Sequence, residues 1–143
     1  MKVEEKREAL IAFMYAKAKA IANATGGKVV PEEYFREEDE EEIRSWRPRD
    51  VRAAFKEIEA TTEMGVDGDA LWCPFCALWF NSCEDCPYGR RHGRCEVGVL
   101  DNSYGIVINA LKGSIVYRLG LDELRAMWVE SKQIARKQIA GEV

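Results

Sequence analysis

The sequence predicts a mainly α-helical, bundle-like domain with a cysteine-rich module at its centre. Apolar residues recur at helical spacing on both sides of the module, and prolines and glycines mark where these stretches begin and end. A length of 143 residues is typical of one domain with a core of its own. We therefore expect a single domain, 1–143, with N-terminal helices in 1–66, the cysteine-rich module in 71–97 and C-terminal helices in 101–140.

Composition and charge narrow the class of protein. Hydrophobic residues make up 47% of the chain and charged residues 32%, as in a soluble globular protein that is rich in charge. No apolar run is long enough to span a bilayer and the N-terminus lacks the apolar stretch of a signal peptide, so we expect a cytoplasmic protein. A net charge of −4 argues against nucleic-acid binding over the whole surface. Abundant Glu, Lys and Arg, with few glutamines, is typical of hyperthermophiles, whose intracellular proteins can carry disulfides.

Three helical stretches are predicted in the N-terminal part. The first spans 4–24, the second begins at Pro31 and contains the acidic run 37–42, and the third spans 48 to about 64. We interpret the acidic run as solvated, because nothing in it shapes a loop that could hold a hard cation. Arginines near the start of the third stretch are expected to pair with this run: Arg44, Arg47, Arg49 and Arg52. The expected core-facing residues are Leu10, Phe13, Met14, Ile21, Val51, Ala54, Phe55, Ile58 and Thr62.

Two helices are predicted after the module. The residues 101–103 can cap a short helix that Gly113 ends, and Asp122 can cap the final helix. The β-branched runs 106–108 and 115–117 leave strands as the alternative, but they show no clean alternation of apolar and polar residues, so helix is preferred. The expected buried face of the final helix comprises Leu124, Met127, Trp128, Ser131, Ala135 and Ile139.

All five cysteines of the chain lie in segment 73–95, and so does its only histidine. Two C-x2-C pairs stand six residues apart, and a proline follows the first cysteine of one pair and the second cysteine of the other. Cysteines that merely fill a core would be scattered, so these sulfurs are expected to meet around a metal ion or in disulfides. The candidate ligands are Cys73, Cys76, Cys83, Cys86 and Cys95, with His92 as a possible spare ligand.

Structural zinc is favoured, because zinc takes four such ligands and paired C-x2-C hooks in an intracellular chain are its usual signature. The spacing does not decide which four of the six candidates bind. An iron–sulfur cluster is the first alternative, since four cysteines suffice and nearby aromatic rings would shield it. These rings are Trp72, Phe75, Trp79 and Phe80. Disulfides are the second alternative, and a thioredoxin-type redox hook at Cys73 and Cys76 is disfavoured because no strand is predicted before it.

The arrangement resembles a module in uncharacterised prokaryotic and phage proteins: two C-x2-C pairs, the second followed by proline, then a fifth cysteine and a step such as Tyr104-Gly105. The resemblance covers roughly residues 71–111 and implies the same kind of module in an α-helical setting, with no function attached to it. The opening C-x2-C-x6-C also matches the start of the fungal binuclear Zn2Cys6 cluster. The second half does not repeat that pattern, so DNA binding is not inferred.

Residues 88–94 place three arginines beside a tyrosine on an expected exposed loop. The arginines are Arg90, Arg91 and Arg94. Such charge beside an aromatic ring can bind nucleic acid, but the arginines can also balance thiolates or pair with Glu84 and Asp85. No paired carboxylates, activated nucleophile or phosphate loop indicates an enzyme. The sequence thus predicts a zinc-stabilised module that presents a surface to a protein partner, with a redox protein or a nucleic-acid-binding module as alternatives.

Overall fold

The computed structural model describes residues 1–24, 26–27, 30–64, 73–79, 82–92 and 115–141, without the side chains of 21, 24, 61–64, 83 and 115–124. Every regular element in these residues is helical and none is a strand, so the predicted α-helical class is confirmed. In this described part, no helix combines the length and the apolar character that a membrane span requires. Several predictions fall outside the described residues: the short helix after 101, Trp72, Phe80, Arg94, Cys95 and the Tyr104-Gly105 step.

Seven α-helices and a 3-10 turn make up the described residues. They are α1 (Val3–Ala24), α2 (Pro31–Tyr34), α3 (Glu37–Ser45), α4 (Pro48–Met64), α5 (Pro74–Trp79), a 3-10 turn (Cys83–Asp85), α6 (Pro87–His92) and α7 (Ile115–Ile139). All four prolines of the chain are the first residues of helices. At that position a proline forfeits no helical hydrogen bond, and its fixed φ suits the first turn.

The predicted glycine stop after α1 is confirmed. Gly26 and Gly27 have φ of +63° and +85°, in the left-handed region that other residues rarely adopt. The Gly27 amide donates to the carbonyl of Ala22 at 3.0 Å, so the turn satisfies a carbonyl that the helix end would otherwise leave exposed.

The predicted second stretch is not one helix but two. Phe35 and Arg36 have extended backbones and separate α2 from α3. The break turns the ring of Phe35 into the core, where it is 2% exposed and meets the edge of Tyr15 with ring centroids 4.8 Å apart. Burial of this ring offsets the loss of helical hydrogen bonds at the break.

Helix α7 begins earlier than predicted, at Ile115 rather than at Asp122. The preference for helix over strand in 115–117 is confirmed. Helix α7 lies antiparallel to α1, because Trp128 packs on Phe13 and Arg136 lies 4.0 Å from Glu5.

The predicted burial of Ile139 is wrong, since this residue is 43% exposed. The pairing of Trp128 with Phe13 and of Arg136 with Glu5 places Ile139 opposite residues 1–2, which are not part of α1.

Trp128 is the centre of the core between three helices. Its ring contacts Phe13 of α1 at 5.4 Å and Phe55 of α4 at 4.9 Å between centroids, and it is almost fully buried. At the rim, Lys132 Nζ lies 3.3 Å from the Glu59 carboxylate and joins α7 to α4. The predicted core residues confirmed as buried are Leu10, Phe13, Met14, Val51, Ala54, Phe55, Ile58, Trp128, Ser131 and Ala135.

We predict that Trp128→Ala lowers the free energy of unfolding by about 3–5 kcal/mol, because the cavity would remove contacts to both α1 and α4. Val129→Ala is the control: Val129 is the next residue in the same helix but is 49% exposed, and its change should stay within about 0.5 kcal/mol. Denaturant unfolding measures both. Equal effects of the two substitutions would contradict this packing.

Candidate functional site

Aromatic rings hold the cysteine segment against the N-terminal helices. With six residues each, α5 and α6 are too short to be stable alone, so their positions depend on packing. The ring of Phe75 in α5 lies 5.2 Å from Trp46 and 5.3 Å from Tyr88 in α6, between centroids. The Tyr88 hydroxyl donates to the buried carbonyl of Tyr34 at 2.5 Å. We call Tyr34, Trp46, Phe75 and Tyr88 the aromatic cluster.

The contact between Phe75 and Tyr88 also joins the two short helices that follow Cys73 and Cys86. Cys73 and Cys86 each precede the proline that begins a short helix, and both are buried. Their carbonyls accept the first helical hydrogen bonds, from Ala77 N at 3.1 Å and from Arg90 N at 3.0 Å. One cysteine of each C-x2-C hook therefore precedes a short helix, and aromatic residues of these two helices are in contact.

Cys73 and Cys76 form a thiol pair. The Cys76 thiol donates a hydrogen bond to the sulfur of Cys73, which also accepts from the backbone amides of Cys76 and Phe75. The hydrogen bond from Cys76 lowers the pKa of Cys73 to about 7, although burial alone would raise it. The charge of Lys17 and the two backbone amides also lower this pKa. Cys73 is 2% exposed and Cys76 is half-buried, and neither forms a disulfide.

The structure describes only part of the predicted ligand set. Cys86 does not form a disulfide either, whereas the Cys83 side chain and Cys95 lie outside the described residues. Among the described residues, no three His, Cys, Asp or Glu side chains converge closely enough to hold a metal ion. The described part of the module thus supplies one pair, Cys73 and Cys76, while Cys86 precedes the second short helix and does not converge with them on a common site in the described residues.

A buried carboxylate that sequence reasoning missed fixes the position of α6. Asp39 of α3 is fully buried, and its two oxygens lie 2.5 Å from Arg91 Nε and 2.7 Å from His92 Nε2. The Arg36 amide donates to it at 2.9 Å. Burial by itself would raise the pKa of Asp39, but the hydrogen bonds from His92, Arg36 and Arg91 hold it below its ordinary value of 3.8. We call Asp39, Arg91 and His92 the buried ion-pair cluster.

His92 faces this carboxylate. An ionised carboxylate only accepts hydrogen bonds, so Nε2 of His92 carries the proton, while its buried Nδ1 has no hydrogen-bond partner in the described part of the chain. His92 ends α6, whereas Cys86 precedes it, and six residues of helix separate them by about 9 Å along the axis. The described geometry therefore joins His92 to Asp39 rather than to a cysteine.

The predicted arginine loop is partly a helix. Residues 87–92 form α6, which turns Arg91 inward to Asp39 and to within 3.6 Å of Glu42. Arg90 is 66% exposed in its side chain and lies 3.5 Å from Asp85, which confirms the expected pairing for this arginine. Neither described arginine is free of an acidic neighbour.

The acidic run is solvated except at Asp39. The expected pairing of an arginine with this run is confirmed for Arg44, which lies 3.0 Å from Glu40 and also pairs with Glu8 of α1. One signal could have identified Asp39: it is the only aspartate among glutamates, at the third position of a helix, where a short carboxylate reaches back to the backbone. Its partners Arg91 and His92 could not be predicted, because they lie more than fifty residues away in the sequence.

We predict that Asp39→Asn lowers the free energy of unfolding by about 3 kcal/mol, because it removes the buried carboxylate that Arg91 and His92 share and leaves Arg91 only the more distant Glu42. Glu38→Gln is the matched control, since it changes the neighbouring, exposed carboxylate into an amide and should stay within about 0.5 kcal/mol. Denaturant unfolding at neutral pH measures both. A small effect at Asp39 would rule out its role as an anchor.

The pH dependence of this difference is a separate prediction. Because the pKa of Asp39 is lowered in the folded state, the stability it contributes is complete above the unfolded value near 3.8 and is lost as the pH falls through the lower folded value. The gap in unfolding free energy between the unmodified protein and Asp39→Asn should hold steady above about pH 5 and narrow below pH 4. A gap that stays constant in acid would contradict the assigned carboxylate interactions.

The arrangement can do two things chemically: present thiolates to a soft metal ion, or exchange two electrons between paired sulfurs. Comparison with protein-family models, with curated proteins and with solved structures finds no match to this chain. The geometry of the thiol pair and of its supports is therefore what a functional proposal can draw on.

Proposed function

We propose that this chain binds a thiophilic metal ion, zinc in the first place, through the cysteines of segment 73–95. The observation that carries the proposal is the contact between the Cys73 and Cys76 sulfurs on a helix start packed against the core. Two sulfurs held together, with backbone amides aimed at one of them, are half of a tetrahedral thiolate site.

The remaining ligands would come from the second hook. Cys86 is the described candidate, because it precedes α6, which contacts α5 through the rings of Tyr88 and Phe75. Cys83 or Cys95 would complete the set of four. We leave His92 out of the proposed site, because it is bound to Asp39 at the far end of α6.

The ion would have a structural role. It would link the starts of α5 and α6, two helices that are too short to be stable alone, and would keep the segment in one conformation. The segment could then present a defined surface to a protein partner. The cytoplasmic location and the thermophilic origin that the composition favours stay predictions.

The alternative functions have less support. A thioredoxin-type enzyme needs an accessible nucleophilic sulfur, but the sulfur with the lowered pKa, Cys73, is the buried member of the pair. For nucleic-acid binding, the described arginines Arg90 and Arg91 already lie beside Asp85 and Asp39. An iron–sulfur cluster would use the same thiolates as zinc, so only metal analysis separates the two.

We predict that the protein, purified without oxygen, contains one zinc ion per chain by elemental analysis. Removal of the ion with a chelator should lower the unfolding temperature, since a ligand bound to the folded state stabilises it. The double substitution Cys73→Ser and Cys76→Ser should abolish zinc binding. Ser82→Ala, in the same segment but without a sulfur, should leave it unchanged.

Three outcomes separate the alternatives. Iron with absorbance near about 400 nm would replace zinc by an iron–sulfur cluster. Full zinc content in the double Cys73/Cys76 variant would remove the hook from the site. A protein free of metal, with thiols blocked as disulfides, would overturn the proposal.

A further inference from the structure

We infer that this chain associates with a second copy of itself, with a basic strip on α4 of one copy seated against an acidic cleft beside α3 of the other. The basic strip is formed by Arg49, Arg52 and Lys56. Both surfaces lie outside segment 73–95, so the inference does not rest on the proposed metal site.

The basic strip follows one face of α4. Residues three and seven positions apart share a face of a helix, and the side chains of Arg49, Arg52 and Lys56 are all exposed. They span about 10 Å along the helix axis. Ala53 lies between them and is exposed as well, so no bulky side chain keeps a partner from this face.

The charges of the strip are largely unpaired within the chain. The sequence predicts that Arg49 and Arg52 pair with the acidic run, but neither does so among the described residues. Arg49 is 71% exposed in its side chain and lies 3.7 Å from the adjacent Asp50, a contact that contributes little at the surface. Arg52 and Lys56 form no ion pair in the described part of the chain. The strip therefore keeps its positive charge for another molecule.

An open cleft of about 520 Å³ lies between α1 and the α2–α3 segment. Its size is that of a small-ligand pocket, and its lining combines two aromatic rings with four carboxylates: Tyr15, Phe35, Glu32, Glu37, Glu38 and Glu40. Glu32, Glu37 and Glu38 are exposed and form no ion pair among the described residues. Arg36 also lines the cleft, but the carboxylates outnumber it. We call this the acidic cleft.

The exposed ring of Tyr15 makes the acidic cleft suitable for a cationic side chain. Tyr15 is 37% exposed, and its hydroxyl donates to the Glu40 carboxylate at 2.5 Å. Burial, this hydrogen bond and the charges of Glu40 and Glu37 raise the pKa of Tyr15 to about 12, so the ring lies in a negative field. A guanidinium group can stack on such a ring and pair with a carboxylate beside it. The cleft thus fits an arginine or lysine side chain.

The chain itself displays the side chains that its cleft would bind. Because the basic strip forms no ion pair with the cleft inside one chain, the two surfaces are left to meet between copies. Exposed ion pairs are individually weak, so we expect a dissociation constant on the order of 100 μM in dilute salt. Each contact joins two different surfaces, so a chain of copies longer than a dimer can form.

Sedimentation equilibrium of the full chain tests the association, from about 10 μM to about 1 mM protein in about 20 mM salt. The weight-average mass should rise with concentration from that of one chain towards twice that mass or beyond. In about 500 mM salt it should stay at the mass of one chain, because salt screens contacts between exposed charges.

Charge reversal tests the two surfaces. Arg52→Glu with Lys56→Glu reverses the strip, and Glu37→Lys with Glu38→Lys reverses the cleft, so each double variant alone should stay monomeric. A mixture of the two variants should associate again, because each reversed surface then meets a complementary surface on the other variant. Recovery in the mixture also shows that both variants are folded.

Lys2→Glu with Lys137→Glu is the matched control. It changes the net charge as much as reversal of the strip does, but at exposed lysines outside both surfaces, and should associate as the unsubstituted chain does.

Four results would overturn the inference: a monomer at about 1 mM protein in dilute salt, association that persists in about 500 mM salt, association that survives reversal of the strip, or no recovery in a mixture of folded variants. A monomer whose strip binds a single-stranded oligonucleotide would also overturn it and assign the strip to phosphates. Zinc content tests the metal proposal alone.

Discussion

The contact of Asp39 with Arg91 and His92 is the interaction on which the cysteine segment depends. It joins α3 to the end of α6 across more than fifty residues of chain, and it is sealed from solvent at the carboxylate. A helix of six residues has no fixed place of its own. Once its last two residues are bound to a buried anion, both its direction and its rotation about its axis are set.

The aromatic cluster and the buried ion-pair cluster contribute differently. Burial of Phe75 and Tyr88 removes apolar surface from water and is favourable outright. The ion pair contributes less than its attraction alone would, because desolvation of the charges opposes it, but an arrangement that breaks it leaves the buried carboxylate of Asp39 without its cationic partners. The rings thus supply stability, while Asp39 excludes other orientations of α6.

Local sequence patterns predicted most of the helices correctly, but they predicted only part of the candidate site. The helix starts at the prolines and the apolar face of α4 that contains Phe55 could be predicted, because proline geometry and helical spacing act over only a few residues. The pairing of Cys73 with Cys76 follows from their spacing for the same reason. The burial of Asp39 could not be predicted, because its partners lie far along the chain. The exposure of Ile139 could not be predicted either, because it depends on where the opposing helix begins.

The proposed metal site needs two sulfurs held close together, and here packing against the core positions the helix start that carries them. In a small zinc finger the ion itself organises the fold. In this chain, Phe75 lies between the two cysteines and is fixed by Trp46 and Tyr88, so the hook has its shape before any ligand arrives. A preorganised site avoids much of the ordering entropy of binding. Loss of a bound ion would therefore release the second hook first and leave Cys73 and Cys76 in place to bind again.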